Sequence, residues 1–565
     1  MKIVSMLILT VVMLMPAQVW AGTAEGSQHV DERFEQAFRE AERLGEQEEW
    51  GQMVQLLDEL RDIPGMLESD WRRLRILYGL ATWHTQLGQK QEALSCLREI
   101  VESGISRTIW PGMADQLQKQ EQFEPLWEEP EFKGLMAKLT AHRRFWENPA
   151  FDTAYREDIS EDEKMAGLSR LWAEVKYNFA FFHQVPEVDW DALYVAYLPK
   201  VRETKSTLEY YRLLQELCAK LRDSHTAVYL PSEVHNTVYA RPAIATELVE
   251  GKVIITDVFD DTLRAEGVNP GLELVEVDGV PVHDYARQQV MPYKGLSTQQ
   301  SRELFTYREV LWGAEGRAVT VGLRDERGAV LERMLPRLAA SEIEGKSWKP
   351  FEFEMLDGNI AYVVLNTVAD EEVVSSFDAA FEAMQQADAL IIDVRQNSGG
   401  SSQIGWQLLG RVTDKPFRGH VALTRRYAPY ARAHGVDPWE VETSTDGELS
   451  PDGAKVFAKP VVVLTSAFTG SAAEDFCVSF DAMGRGTIIG EPTGGSTGQP
   501  LRFKLPGGGS GRVCTIESRY PDGEEYVGVG VQPDILVRPT VADVRAGRDT
   551  VLEAAVDYLA REKAE

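Results

Sequence analysis

Ala389-Leu-Ile-Ile-Asp-Val-Arg-Gln-Asn-Ser-Gly-Gly400 is an apolar run that ends in a glycine pair. Val461-Val-Val-Leu-Thr-Ser-Ala-Phe-Thr-Gly-Ser-Ala-Ala-Glu-Asp475 is a second such run, passing through a small-residue turn into a helix start. Uninterrupted apolar strands of this kind belong to sheets buried on both faces. In open α/β folds the turns at their C-terminal ends carry the functional groups. Ser471 stands at the second of these turns, where helix N–H groups favour negative charge. An oxyanion formed there would find donors in place. The same serine also fits a helix cap, with Glu474 completing a capping box, so the turn alone leaves both roles open.

Working outward, strands alternate with helices: Ile360 to Leu365, helix 371–386, Ala389 to Val394, helix 402–412, Val461 to Leu464, helix 472–483 and Thr487 to Ile489. This alternation predicts a mostly parallel sheet with flanking helices. The polar stretch from Tyr427 to Lys455 breaks the rhythm and reads as a long surface loop. Upstream, from roughly Arg241 to Arg337, the pattern is β-rich, with Lys252 to Asp257, Leu272 to Val277 and an Asp278-Gly279 pair that suits a tight hairpin. With Ala265-Glu-Gly-Val-Asn-Pro-Gly271, this segment resembles a PDZ domain, which implies strand addition by an extended peptide. Before it, helices between Glu161 and Leu221 run into Leu221-Arg-Asp-Ser-His-Thr226, placing His225 at a helix-to-strand junction. From Asp31 to Leu139 the pattern is helical and amphipathic. Leu44-Gly45 and Leu87-Gly88 precede charged turns and the helices Met53 to Leu60 and Ala93 to Val101. These units resemble tetratricopeptide-like hairpins, which implies partner binding; a plain helical bundle fits the same pattern.

A net charge of −30 over 565 residues argues against nucleic-acid partners and anionic lipid surfaces. Met1 to Ala21 has the charge, the short apolar core and the small-residue end of a secretory signal, which points to export to the periplasm or beyond. No later stretch is apolar enough to span a membrane once that signal is removed. The four cysteines, Cys96, Cys218, Cys477 and Cys514, fit no zinc spacing and read as buried small hydrophobes; a Cys477–Cys514 bridge stays open. No nucleotide or metal signature is present, so neither a cofactor nor a metal is expected.

Taken together, Asp393 to Gly400, Ser471 to Glu474, Gly490 to Thr493, Gly530 to Asp534 and Leu221 to Thr226 resemble, in order, the motifs of the C-terminal processing and tricorn-type serine peptidases. The resemblance spans about residues 160–540. It implies Ser471 as nucleophile and an oxyanion hole of the Ala472 N–H with that of Gly399 or Gly400. Asp393 and Arg395 would pair beneath the turn. The processing branch uses a lysine base, but its position here is Ser496, and no lysine lies between Ser471 and Lys504. The tricorn-type branch uses histidine, and His225 takes that place, with Ser224 as a candidate orienting hydroxyl. Family members carry a glutamate just before the final Gly-x-Gly, where this chain has Tyr526 and Val527; Glu525 is the nearest substitute.

The expected architecture is therefore multidomain. A signal peptide (1–21) precedes an N-terminal all-α repeat-like domain (22–150) and the helical N-terminal part of the peptidase region (151–235). A PDZ-like β-rich domain (236–340), a crotonase- or ClpP-like α/β catalytic core (341–545) and a C-terminal helix (546–565) follow. The expected activity is hydrolysis of a peptide or protein substrate by a serine endopeptidase, with a PDZ-like module engaging or gating the chain. Two other functions suit the same scaffold: a non-catalytic binder of peptides or apolar ligands, and a helical-repeat adaptor with an idle peptidase domain.

Overall fold

A computed structural model describes residues 28–47, 49–104, 112–141, 149–343, 348–445, 447–451 and 456–563. The expected signal, Met1 to Ala21, lies outside them. The chain divides into two compact units, Met1–Asn148 and Pro149–Glu565.

The first unit is helical. Its helices include Gln28–Glu46, Trp50–Arg61, Asp70–Gln86, Lys90–Ser103 and Pro130–Thr140, and successive members pack pairwise around a core of their own. Met53, Leu57, Leu77, Leu97 and Ile100 are buried there, at the helical spacing that the amphipathic pattern demands.

The second unit is organised by a six-stranded sheet in the order Ile535–Leu536, Thr487–Gly490, Val461–Thr465, Ala389–Asp393, Ile360–Leu365, Phe351–Leu356. All neighbours are parallel except the last pair. Leu390, Ile392, Val461 and Val463 face one core, and Ile391, Val462 and Leu464 face another beneath the C-terminal helix Thr550–Glu562. Burial on both faces explains why these strands lack polar alternation.

Between Ile244 and Leu335 a separate antiparallel sheet encloses its own core. Its Asp278-Gly279 turn has positive φ at both residues (50° and 77°), as a tight two-residue hairpin requires. The expected loop from Tyr427 onward is instead mainly a hairpin. Val421–Tyr427 pairs antiparallel with Trp439–Thr445 on one side and with Ile516–Arg519 on the other. The reading fails there because Trp439–Thr445 is an exposed edge strand with no buried face, so it carries no apolar alternation. A further three-stranded sheet joins Ala227–Tyr229 to Ser510–Cys514 and Pro500–Lys504. That sheet ties the His225 segment to the far end of the chain. All four cysteines are free and buried.

Candidate active site

Ser471 sits between the strand Val461–Thr465 and the helix Ala472–Ala482. The turn is fastened to the neighbouring strand end: Thr469 Oγ1 donates to the Val394 carbonyl (2.9 Å) and Gly470 N–H to that of Asn397 (3.1 Å). Ser471 N–H donates to the Ser496 carbonyl (2.8 Å). These bonds hold Ser471 at φ 57°, ψ −133°, a backbone region normally reserved for glycine. Its hydroxyl caps no helix N–H, which removes the capping role that the motif alone allowed. It lies 3.2 Å from His225 Nε2.

His225 comes from 246 residues earlier in the chain. Asp223 builds its turn, accepting from His225 N–H (3.2 Å) and Thr226 Oγ1 (2.6 Å), while Thr226 in turn accepts from Cys514 N–H (3.0 Å). His225 is 8% exposed. Burial, with the Arg512 and Arg502 charges, lowers its pKa to about 3, so the imidazole is neutral at physiological pH. Its other nitrogen, Nδ1, is 2.8 Å from Ser496 Oγ. With Ser471 donating to Nε2, Nδ1–H donates to Ser496, and this fixes the tautomer that a general base needs.

Ser496 is itself held from below. The buried Glu474 accepts from Thr493 Oγ1 (2.5 Å), Gly495 N–H (2.6 Å) and Ser496 N–H (2.8 Å). Burial pushes its carboxyl up to about 7 despite these donors. Glu474 thus organises the turn that carries Ser496 rather than boxing the helix. The sequence pointed to position 496 only as the place where a lysine is missing. A serine there is too ordinary a residue to signal a role, and its proximity to His225 depends on a contact between remote segments.

Neither expected orienting group touches the imidazole through a hydrogen bond. Ser224 Oγ faces Ser297 Oγ (3.4 Å). Glu525 is half exposed and pairs with Arg519 (2.8 Å), beside His183 and Glu517. The reason is local. Pro521-Asp-Gly523 closes a tight turn in which Arg519 bridges Glu525, so Glu525 turns outward while Tyr526 turns in and donates to Asp475 (2.8 Å). Arg395 does pair with Asp393 (2.6 Å), and also with Asp549 (2.7 Å).

Gly399 packs directly on Ser471; its φ is 105° and a Cβ there would lie 2.6 Å from Ser471 Cβ and 2.9 Å from Ala472 N. Its own N–H donates to Asn397 Oδ1 (2.9 Å). Among the described residues no hydrogen bond occupies the N–H of Ala472 or Gly400. Gly399, Gly400, Ser471 and His225 line a cleft of about 900 Å³. A hydroxyl bonded to a neutral imidazole, with free N–H groups beside it at a strand–helix turn, suits attack on a carbonyl.

Comparison with known proteins agrees with this chemistry. Residues 359–537 match the model of peptidase family S41, and residues 160–219 that of the tricorn protease C1 domain. The chain is similar to the carboxyl-terminal-processing protease of Synechocystis sp. (22% identity, covering 71% of this chain and 87% of the relative). It is also similar to the tricorn protease of Thermoplasma volcanium (22% identity, 72% of this chain and 38% of that much longer relative). The crystal structure of mature CPAF shares the fold over 68% of this chain and 94% of its own, at 17% identity and a TM-score of 0.55.

Proposed function

We propose that this chain, a serine peptidase of family S41 with a tricorn-type C1 segment, is an exported endopeptidase whose base is oriented by a serine in place of an acid. Ser471 attacks the peptide carbonyl while His225 Nε2 takes its proton. The Ala472 and Gly400 N–H groups receive the oxyanion, and His225 returns the proton to the leaving amine. Water, activated by the same imidazole, then releases the acyl group from Ser471. The observation that carries this reading is the Ser471–His225–Ser496 chain of hydrogen bonds at a strained strand–helix turn.

The antiparallel sheet and its helix Gln299–Arg308 act in this reading as a PDZ-like module that governs access. Their coupling to the site is direct: Thr298 Oγ1 and Ser301 Oγ donate to the Gly494 carbonyl (2.9 and 3.0 Å), and Gln300 Nε2 to that of Thr493 (3.0 Å). A shift of that helix moves the turn that carries Ser496. Export rests on Met1 to Ala21; among the described residues no helix is long and apolar enough to cross a membrane.

The test is covalent labelling. A fluorophosphonate is expected to modify Ser471, located by mass spectrometry, with a rate that stays level from pH 8 down to about 5. A histidine with its ordinary pKa near 6.5 would lose the base on the way down; one at about 3 stays neutral. Absence of labelling in folded protein would instead favour the binding-protein function. Assays at the acid end must be brief. The unfolded chain protonates this histidine below about 6.5 while the folded chain does not, so this group lowers stability as pH falls through that window.

Ser496→Ala is expected to slow labelling by about 10- to 100-fold, the cost of roughly 1.5–3 kcal/mol for an unanchored imidazole that becomes positive in the transition state. Equal rates for the variant and the parent would remove Ser496 from the mechanism.

A further inference from the structure

We infer that Arg502 and Arg512 form a carboxylate-binding subsite on the leaving-group side of the scissile bond. This rests on the peptidase reading above and extends it to the class of substrate. Arg502 and Arg512 are directly opposite each other on the antiparallel strands Pro500–Lys504 and Ser510–Cys514, so their side chains share one face. Both line the cleft that holds Ser471 and His225. Two like charges placed opposite each other destabilise a sheet unless something offsets them.

Among the described residues nothing does so fully. Among the described residues neither guanidinium makes an ion pair, although acidic side chains outnumber basic ones by 89 to 59. The two carboxylates that line the cleft are engaged elsewhere. Asp223 is within electrostatic reach of Arg512 but is buried under Thr226 and the His225 N–H, and Glu309 is held by Lys294. Arg512 is aimed by a hydrogen bond from Nη2 to the Ser224 carbonyl (2.6 Å) and lies over the Tyr229 ring at 5.5 Å. Its buried Nε has no partner. Arg502, exposed beside it, completes a two-pronged cationic wall of the kind that grips a carboxylate.

The wall stands on the His225 side of the cleft, since Arg512 is bonded to the residue just before the imidazole. His225 gives its proton to the leaving amine, so the peptide that departs runs along this side. A carboxylate near the new N-terminus of that fragment meets the arginines, whether it is an Asp or Glu side chain or the end of a short C-terminal tail. The overall charge of −30 disfavours acidic substrates at long range, which makes a local cationic pair the feature that would admit them.

Three synthetic peptide libraries separate the possibilities: acid-free with amidated ends, acid-free with free C-termini, and Asp/Glu-containing with amidated ends. The full-length protein is expected to cut the first at least about tenfold more slowly than one of the other two, and the faster one identifies the source of the carboxylate. In Arg502→Gln that ratio is expected to fall to about twofold or less; Arg512→Gln provides a second variant with the same expected result. A protein that labels at Ser471 but cuts all three equally, or keeps its preference in both variants, overturns the subsite and leaves the peptidase reading intact. Absence of labelling overturns the reading on which the subsite rests.

Discussion

Ser471→Ala is expected to lower turnover by about 10⁶, His225→Ala by nearly as much, and the double variant by no more than the worse of the two. Nucleophile and base act as a unit: the hydroxyl is inert without an acceptor, and the imidazole has nothing to deprotonate without the hydroxyl. The 3.2 Å separation makes that dependence direct. A residual rate about 10³–10⁴ above water should persist, because the cleft and the Ala472 and Gly400 donors are untouched. Substitution at Ser471 also probes the backbone. Alanine inherits the strained φ of 57°, whereas glycine does not. Ser471→Gly should therefore be as inactive as Ser471→Ala but more stable by about 1–3 kcal/mol, the cost of such a conformation. Thermal unfolding of the two variants decides the matter. If glycine brings no gain, the turn is not strained, and the serine is not being presented at a cost in stability.

How much of this was legible depends on how local each cause is. The parallel sheet could be read because Ala389–Asp393 and Val461–Thr465 are buried on both faces, and continuous apolar runs bounded by small-residue turns seldom arise in any other setting. The Asp278-Gly279 hairpin could be read because its turn needs those two residue types. Ser471 and His225 could be singled out from short motifs, and the structure brings them together through a sheet that no local pattern announces. What escaped was set by distant packing. Glu525 was only the acid nearest to the family's position, and a three-residue turn and Arg519 decide where it points. Ser496 satisfied no local criterion, yet Glu474 and the turn around Gly495 lift it to Nδ1. The hairpin after Val421 escaped because an exposed edge strand looks like any polar loop.

Gly399→Ala is expected to remove about 10²–10³ of the rate, and more if the nucleophile itself is displaced. The added methyl would stand 2.6 Å from Ser471 Cβ, 2.9 Å from Ala472 N and 2.9 Å from the Gly470 carbonyl, none of which is the free end of a flexible side chain. It would fill the space in front of the Ala472 N–H, where the substrate oxygen must arrive, and the φ of 105° adds strain of its own. Gly400→Ala is the informative contrast. Its methyl would meet the backbone of Val368 and Ala369 at 2.4–2.5 Å, with no atom of Ser471 among its nearest neighbours, so its main cost falls on stability. The ratio of labelling rate to unfolding free energy separates the two. Gly399→Ala should be slow in protein that remains folded; Gly400→Ala should lose stability first and label in proportion to the fraction that stays folded. Wild-type labelling by folded Gly399→Ala would move the oxyanion away from Ala472. The site would then need a different donor, and the glycine pair at the end of Ala389–Asp393 would serve chain packing alone.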